Sequence, residues 1–342
     1  MVTVGQIGCG YWGPHLLRNL SELPTCTVAM VADRDPARRA FVEARYPTVR
    51  TTEDAGDVLN ADGIDAVVIA TPIRTHFDLA RRALEAGKHC LVEKPLAERA
   101  ADARTLVELA EANGRVLMVG HTFLYNNAVR DVRRRIVAGD LGQVYYLYAQ
   151  RLNLGKVQPD VNAMWNLAPH DASIFCYLLD DRPTRVSARG VCSIQEGVED
   201  VVFMTLAFPG GVLAHAHVSW LDPNKVRRVT VVGSEKMVTY DDMDDAKVRL
   251  YDKGVSRRNI DESLGPFESF GQYQLLYRAG DVLLPKIDVV EPLRLETSEF
   301  IDSIAGGTRP LADGRNGLTV VAVLEAAQRS LESGGADVEP DL

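Results

Sequence analysis

A glycine-rich turn near the start of the chain has the spacing of a dinucleotide-binding loop. Gly8, Gly10 and Gly13 form the pattern G-x-G-x-x-G directly after a short apolar run. In such loops the first glycine permits a tight turn, the second lets the backbone approach a pyrophosphate, and the third lets the helix pack on the strand. Tyr11 and Trp12 fill the variable positions, where a helix N-terminus offers free N–H groups to phosphate. These five residues are therefore predicted to bind the cofactor.

An acid and a base follow the second apolar run and bear on the choice of cofactor. Asp33 lies twenty residues beyond Gly13, where a carboxylate can hydrogen-bond both ribose hydroxyls of NAD. Arg34 comes next and can hold the 2′-phosphate of NADP, or it can be a solvated residue at a helix entrance. Because Asp33 would repel that phosphate, we predict NAD, with NADP less favoured.

Two later apolar runs end in polar residues that are expected to face the same ligand. Thr71 and Pro72 end one run, with His76 opening the next helix, and Glu93 and Lys94 end another, just before a proline. The carboxyl ends of parallel strands line the ligand crevice, so all five residues are predicted to border the cofactor. Burial there would lower the pKa of Lys94, and the peptide before the proline can be cis. The alternatives are a plain proline turn and a surface lysine.

An imidazole and a carboxylate stand together further along the chain, after a proline. His170 and Asp171 are predicted to open a helix, and His170 can exchange a proton near neutral pH. The alternative is a capping or core histidine, with Asp171 interacting with the helix dipole. His215 and His217 share one face of a predicted strand, and no acid or cysteine stands at ligand spacing from them. We interpret them as a sheet-face pair and predict no metal.

The elements that position these residues fall into two groups. Apolar runs at 2–7, 27–32, 66–70, 90–92 and 116–119 alternate with helical segments such as 76–86 and 98–112. Strand–helix alternation of this kind predicts an α/β Rossmann domain over residues 1–122, with a doubly wound parallel sheet.

Residues 123–342 have a different order of helices and strands, which predicts a second domain of α+β type. Helices are expected at about 128–138, 170–179, 293–305 and 317–333, with strands at 144–152 and repeatedly within 185–251. This pattern predicts a large, mostly antiparallel open sheet. An uncovered sheet face carrying Val, Phe and Trp would predict a homo-oligomer, a tetramer or a dimer.

Composition excludes several classes of protein. Apolar residues make up 46% of the chain and charged residues 25%, the balance of a protein with a full core. The net charge of −9 argues against nucleic-acid and membrane partners. No uncharged apolar stretch reaches the length of a membrane span, and the N-terminus lacks the basic region of a signal peptide. Five cysteines without a C-x-x-C pair indicate free thiols in a reducing cytoplasm.

Taken together, the motifs resemble the Gfo/Idh/MocA family of oxidoreductases. The resemblance rests on the glycine loop, Thr71-Pro72 with His76, Glu93-Lys94-Pro95 and His170, in family order and spacing. It implies an NAD(P)-dependent enzyme acting on CH–OH groups of sugars or cyclitols, with Lys94 and His170 as catalytic residues at the reacting hydroxyl. Many members carry an aspartate where this chain has Asn166, and an amide can orient a hydroxyl but cannot act as a base.

Residues 120–126, 150–156 and 284–287 carry a narrower resemblance to family members that oxidise UDP-sugars such as UDP-N-acetylglucosamine. It implies oxidation at C3, with substrate contacts from Asn166 and His170 and further contacts from a tyrosine and three cations. These are Tyr125, Arg151, Lys156 and Lys286. Three alternatives remain open: an oxidoreductase of free sugars or cyclitols, a glycosidase that uses NAD transiently, and a non-catalytic NAD sensor.

Overall fold

The computed structural model describes residues 1–155, 157, 161–257 and 275–342. The first part of the chain forms a parallel six-stranded sheet. Its strands are Val2–Ile7 (β1), Cys26–Ala32 (β2), Arg50–Thr52 (β3), Ala66–Ile69 (β4), His89–Val92 (β5) and Leu117–Val119 (β6). The helices that connect them are Gly13–Ser21 (α1), Pro36–Arg45 (α2), Ala55–Leu59 (α3), His76–Glu85 (α4) and Ala100–Ala112 (α5).

The strand order is β3-β2-β1-β4-β5-β6, with every neighbouring pair parallel. The apolar strands form because helices cover both faces of the sheet; all four residues of β4 are buried, for example. The order reverses between β1 and β4, which opens a crevice at the carboxyl ends of these strands. The predicted doubly wound α/β sheet is confirmed.

The second part contains a larger sheet of eight strands. They are Val144–Leu154 (β7), Arg185–Val191 (β8), Val201–Ala207 (β9), Leu213–Ser219 (β10), Leu221–Gly233 (β11), Met237–Asp241 (β12), Val248–Arg257 (β13) and Leu275–Leu283 (β14). The order is β14-β13-β12-β11-β7-β10-β9-β8, and the described pairs are antiparallel except β7 with β10. The predicted mostly antiparallel open sheet is confirmed.

Four further helices accompany this sheet: Asn127–Val137 (α6), Ala163–Leu179 (α7), Pro292–Gly306 (α8) and Gly314–Glu332 (α9). Helices α7 and α9 cover one face of the large sheet, while α9 also packs on α5 and α8 packs on α1. The Val119 N–H donates to the Ala312 carbonyl at 2.8 Å, so the C-terminal region also touches the first sheet. The division at residue 122 remains our proposal, with α8 and α9 contacting both parts. Among the described helices, none is long and apolar enough to span a membrane.

The two faces of the large sheet differ as the alternation in β10 predicts. Val218 and Trp220 point into the core, and Trp220 is 2% exposed. On the opposite face Phe203 is exposed and stacks on His217, with the ring centroids 4.3 Å apart. The expectation is therefore wrong for tryptophan, because Trp220 lies on the face that the helices cover, whereas Val191 is exposed on the same face as Phe203. The outer face also carries phenylalanine, tyrosine and histidine.

Candidate active site

The glycine loop follows β1 at the crevice, and each of its glycines meets a different constraint. Gly8 has φ 93°, and a Cβ there would lie 2.4 Å from the Ala70 carbonyl oxygen. A Cβ on Gly13 would lie 2.5 Å from the Gly8 carbonyl oxygen, whereas one on Gly10 would meet nothing within 4 Å. Packing therefore requires the first and third glycines. The second faces open space that a pyrophosphate can approach.

The start of α1 supplies the donors for such a ligand. The helix begins at Gly13, and the residue before it, Trp12, provides no side-chain cap. The N–H groups of an uncapped first turn and the positive end of the helix dipole both favour a phosphate. Tyr11, at the tip of the loop, is 90% exposed. These features fit a dinucleotide.

Asp33 ties the end of β2 to the glycine loop. Its Oδ2 accepts a 2.6 Å hydrogen bond from the Cys9 N–H, and its Oδ1 accepts one of 2.9 Å from the Asp35 N–H. A carboxylate has about four acceptor positions, so capacity remains for ribose hydroxyls. Arg34 is exposed to solvent. The half-buried carboxylate fits the predicted contact with NAD.

His76 connects the two loops that follow β4 and β5. Its ring is 1% exposed, with Nδ1 2.8 Å from the Pro95 carbonyl oxygen and Nε2 2.8 Å from the Thr71 carbonyl oxygen. Burial lowers the pKa of His76, although both carbonyls oppose that shift. The sequence interpretation placed this ring at the cofactor. The structure instead gives it a positioning role: it holds the Thr71–Pro72 loop against the Lys94–Pro95 turn.

Lys94 lies at the carboxyl end of β5, beside Glu93 and before a cis peptide bond to Pro95. Its Nζ donates a 2.9 Å hydrogen bond to the backbone carbonyl of Asn166. Burial lowers the pKa of Lys94; Glu93 opposes this shift and Arg151 adds to it. Burial also raises the pKa of Glu93 to about 7, against the effect of Lys94. Within this buried site each of the two side chains favours the charged form of the other.

Helix α7 brings His170 to this lysine, but His170 does not open the helix as predicted. The helix begins at Ala163, and the Asn162 side chain caps it by accepting from the Trp165 N–H at 3.1 Å. Pro169 lies inside the helix, although proline is most common in the first turn, and this is why the start was misplaced. His170 stands one turn beyond Asn166, so both lie on the face of α7 toward Lys94.

The surroundings of His170 keep its imidazole neutral. The ring meets Phe123 edge-on, with the centroids 4.9 Å apart, and Nδ1 is buried without a hydrogen-bond partner among the described residues. Burial lowers the pKa of His170 well below its usual value, and the charges of Lys94 and Arg151 add to the shift. A neutral imidazole and a lysine of reduced pKa therefore lie in the same buried region, joined by the bond of Lys94 to Asn166 one helical turn before His170. Together they can accept a proton from a hydroxyl.

Comparison with known proteins shows the family to which the chain belongs. The family model described as an oxidoreductase family with an NAD-binding Rossmann fold matches residues 2–121, and the GFO/IDH/MocA C-terminal domain matches residues 129–239. The chain belongs to the GFO/IDH/MocA oxidoreductase family. Its first part has the NAD-binding Rossmann fold of that family, and its relatives include dehydrogenases of a sugar nucleotide and of inositols.

The individual relatives match different shares of this chain. The 4-carboxy-2-hydroxymuconate-6-semialdehyde dehydrogenase of Sphingobium is 31% identical over 52% of this chain, and the match spans 58% of that enzyme, a little over half its length. The UDP-N-acetylglucosamine 3-dehydrogenase of Acidithiobacillus ferrooxidans is 28% identical over 74% of this chain and 78% of its own. Its solved structure matches with a TM-score of 0.78 and 26% identity, covering 97% of both chains. An inositol 2-dehydrogenase of Paenarthrobacter aurescens is 27% identical over 98% of this chain and 97% of its own.

Two residues predicted to contact the substrate lie inside the protein. Arg151 donates to Asp171 from Nε at 3.1 and 3.2 Å and from Nη2 at 2.8 Å, and their side chains are 6% and 1% exposed. Tyr125 is fully buried and donates its hydroxyl to Glu299. The assignment of Arg151 to a diphosphate and of Tyr125 to the sugar is not supported, because internal partners occupy both side chains.

One of the other two predicted cations lies within the described residues and one does not. Lys286 is exposed in the segment that leads into α8. Lys156 lies outside the described residues. Asn166 uses its backbone carbonyl for Lys94, and its side-chain Oδ1 accepts from the Trp220 indole N–H at 3.4 Å.

Three residues near Lys94 were not identified by sequence reasoning. His121 and Glu296 are fully buried, and neither ring nitrogen of His121 has a partner among the described residues. Arg227 lies on β11 beside Arg151. No local motif marks any of the three. The only available signal was position, since His121 directly follows the last strand of the first sheet and so reaches the same edge as Lys94.

Proposed function

We propose that this oxidoreductase uses NAD to oxidise a secondary hydroxyl, at C3, of a UDP-sugar such as UDP-N-acetylglucosamine. The observation that carries the proposal is the convergence of Lys94 and His170 at the carboxyl edge of the parallel sheet, linked through the Lys94–Asn166 hydrogen bond. The similarity to UDP-N-acetylglucosamine 3-dehydrogenase, over about three quarters of each chain, supports the choice of substrate.

The residues divide the work as follows. NAD, when bound, supplies the nicotinamide carbon that accepts a hydride. Neutral Lys94 accepts the hydroxyl proton at Nζ, and Glu93 stabilises the resulting ammonium. His170 orients the hydroxyl with its neutral imidazole and is the second candidate to accept that proton. Gly8, Gly10, Gly13, the start of α1 and Asp33 would hold the dinucleotide.

The experiment compares UDP-N-acetylglucosamine with free N-acetylglucosamine in the presence of NAD. Binding of the nucleotide positions the sugar, so truncation should lower kcat as well as raise KM. Borodeuteride trapping followed by mass spectrometry would locate the new carbonyl at C3. Equal kcat/KM for the free sugar, or deuterium at C4 or C6, would contradict the proposal.

Oxidation of a free sugar or cyclitol is the second candidate. It is favoured by the internal pairing of Arg151 with Asp171, which removes one predicted phosphate contact, and by the inositol 2-dehydrogenase match along nearly the whole chain. A scan of inositols, free sugars and aryl glycosides with NAD separates this activity from a redox-type glycosidase, which would release an aglycone without net NADH.

We also propose NAD rather than NADP, a cytoplasmic location and a tetramer or dimer. Asp33 supports the first, since its carboxylate would oppose a 2′-phosphate. The five free cysteines fit a reducing compartment. The aromatic outer face of the large sheet supports self-association, because exposed apolar patches of this kind mark interfaces.

A further inference from the structure

Two arginines stand side by side on the wall of the large sheet next to the candidate active site. Arg227 of β11 is the register partner of Arg151 on β7. Directly opposite residues on adjacent strands project from the same face with their Cβ atoms about 5 Å apart, and like charges in that position repel. The pair is therefore stable only if at least one of the two charges is neutralised.

Arg151 is the one that is neutralised. Asp171 accepts three hydrogen bonds from its guanidinium, and both side chains are almost completely buried. The guanidinium also lies over the Phe123 ring, 4.4 Å from the centroid. The Nε and Nη2 edge of the Arg151 guanidinium is therefore occupied by an internal acid.

Arg227 is more exposed than its neighbour and has a longer contact with its acid. Its side chain is 39% exposed, and one contact, from Nη1 to Asp242 Oδ2, lies at 3.5 Å. The other carboxylate oxygen of Asp242 accepts from the Tyr240 hydroxyl at 3.0 Å. In the described part of the chain, Nε and Nη2 of Arg227 have no acceptor. One edge of a planar guanidinium is thus free to bind a second anion in bidentate fashion.

The free guanidinium lies near the reacting groups. Phe123 contacts both the Arg151 guanidinium and the His170 ring, and Arg227 is the register neighbour of Arg151 on the same face of the sheet. The charge of Arg227 contributes to the lowered pKa of His170, after burial and the charges of Lys94, Arg151 and His121. A substrate whose hydroxyl meets Lys94 and His170 would therefore extend past Arg227.

We propose that Arg227 determines substrate specificity by binding an anionic group, a phosphate or a carboxylate, that lies beyond the carbon oxidised at Lys94 and His170. The inference rests on the proposed function for the position of that carbon. A nucleoside diphosphate would supply a phosphate, and a uronic-acid sugar would supply a carboxylate. Either anion suits a local cation in a chain whose net charge is −9.

The test uses Arg227→Met, Arg227→Lys and a matched control, Arg228→Met. Arg228 is the next residue, projects from the opposite face of the strand, and pairs with Asp241 at 2.7 and 3.0 Å. Calorimetric titration with UDP and, separately, with glucuronic acid, both in the presence of NAD, measures binding without requiring turnover. Arg227→Met should weaken binding of the recognised anion by roughly tenfold or more, Arg227→Lys should weaken it less, and Arg228→Met should bind like the wild type.

The two ligands distinguish the source of the anion. A loss confined to UDP supports a phosphate, and a loss confined to glucuronic acid supports a carboxylate. With an oxidisable anionic substrate, Arg227→Met should raise KM far more than it lowers kcat, while a neutral sugar should be unaffected. Unchanged binding of both ligands by Arg227→Met, equal weakening in Arg228→Met, or no binding of either ligand by the wild type would overturn the inference. Because the titrations need no turnover, failure of the proposed oxidation is a separate result.

Discussion

Lys94 Nζ and the backbone carbonyl of Asn166 lie 2.9 Å apart, although 72 positions separate the two residues. The bond joins the carboxyl end of β5 to α7, and so connects the two parts of the chain at the candidate active site. Pro169 has no N–H to donate to the carbonyl of Trp165, so the helix is interrupted next to the carbonyl that Lys94 contacts. Because a backbone group holds the lysine, the amide at position 166 does not leave Lys94 without a partner.

Replacing Lys94 should separate catalysis from cofactor binding. Lys94→Met removes the proton acceptor, so kcat should fall by about 10² or more, the usual scale for acid–base and electrostatic groups. The Kd for NAD, followed by fluorescence titration, should stay near the wild-type value because the glycine loop is untouched. Lys225→Met, at an exposed position on β11, is the control and should retain full turnover. A Lys94→Met enzyme with more than about a third of wild-type kcat in a chemistry-limited assay would remove this lysine from the mechanism.

His170→Ala should likewise reduce kcat by about 10² or more, because it removes the neutral imidazole beside the lysine. The matched control is His217→Ala, which deletes an imidazole from the outer face of the large sheet. Single-turnover measurement of NADH formation reads the chemical step directly. Equal rates in the two variants would mean that His170 is a core residue, the alternative that its sequence context left open.

Cofactor choice should depend on Asp33. Wild-type protein should bind NAD at least about tenfold tighter than NADP, since the carboxylate gains hydrogen bonds from ribose and repels a 2′-phosphate. Asp33→Ser should reduce the preference for NAD over NADP. Arg34→Ala should weaken NADP binding both in the wild type and in the Asp33→Ser variant. Titration of both cofactors into each of these proteins gives a pair of Kd values for every variant. Equal or tighter binding of NADP by the wild type would instead assign the selectivity to Arg34.

The glycine loop and Lys94 were predictable because their chemistry depends on short-range geometry. Gly8 is required by its positive φ and Gly13 by a backbone contact within the same strand–turn–helix unit, and Lys94 is located by the end of a buried strand. The start of α7 was not predictable by the same reasoning. Pro169 has the local features of a helix start, and only packing of the preceding turn against the rest of the protein extends the helix back to Ala163.

The remaining site residues depend on contacts between distant segments. Glu296 lies on α8, and burial raises its pKa well above the usual value. The charge of Glu93, which follows β5, adds to that shift. Arginine is a residue type that binds phosphate, but Asp171 neutralises Arg151 inside the core. Sequence spacing carries no information on such pairs because it does not show which cation has an internal acid.

Self-association should depend on the outer face of the large sheet. Phe203→Glu places a charge among the aromatic rings there, where Phe203 stacks on His217 and Tyr146 stacks on Tyr148. Light scattering should give a multiple of 37.5 kDa for the wild type and a smaller species for the variant. Val137→Glu, at an exposed position on α6, should leave the mass unchanged. A wild-type protein that is monomeric at micromolar concentration would contradict the proposed oligomer.

His121 should make the fold sensitive to acid. Burial lowers the pKa of His121 to about 3 from 6.5, and Lys94 adds to the shift. As the pH falls below 6.5 the unfolded chain binds a proton that the folded chain cannot, so this residue's contribution to the free energy of unfolding decreases. The loss is about 1.4 kcal/mol per pH unit, or roughly 2 kcal/mol between about pH 6.5 and pH 5. His121→Gln removes the titrating group. In urea unfolding, the free energy of unfolding of the wild type should therefore fall by that amount relative to the variant as the pH is lowered through this interval. Above this interval the difference between the two proteins should be constant. Parallel pH dependence in the two proteins would show that His121 is protonated as readily in the folded state as in the unfolded one.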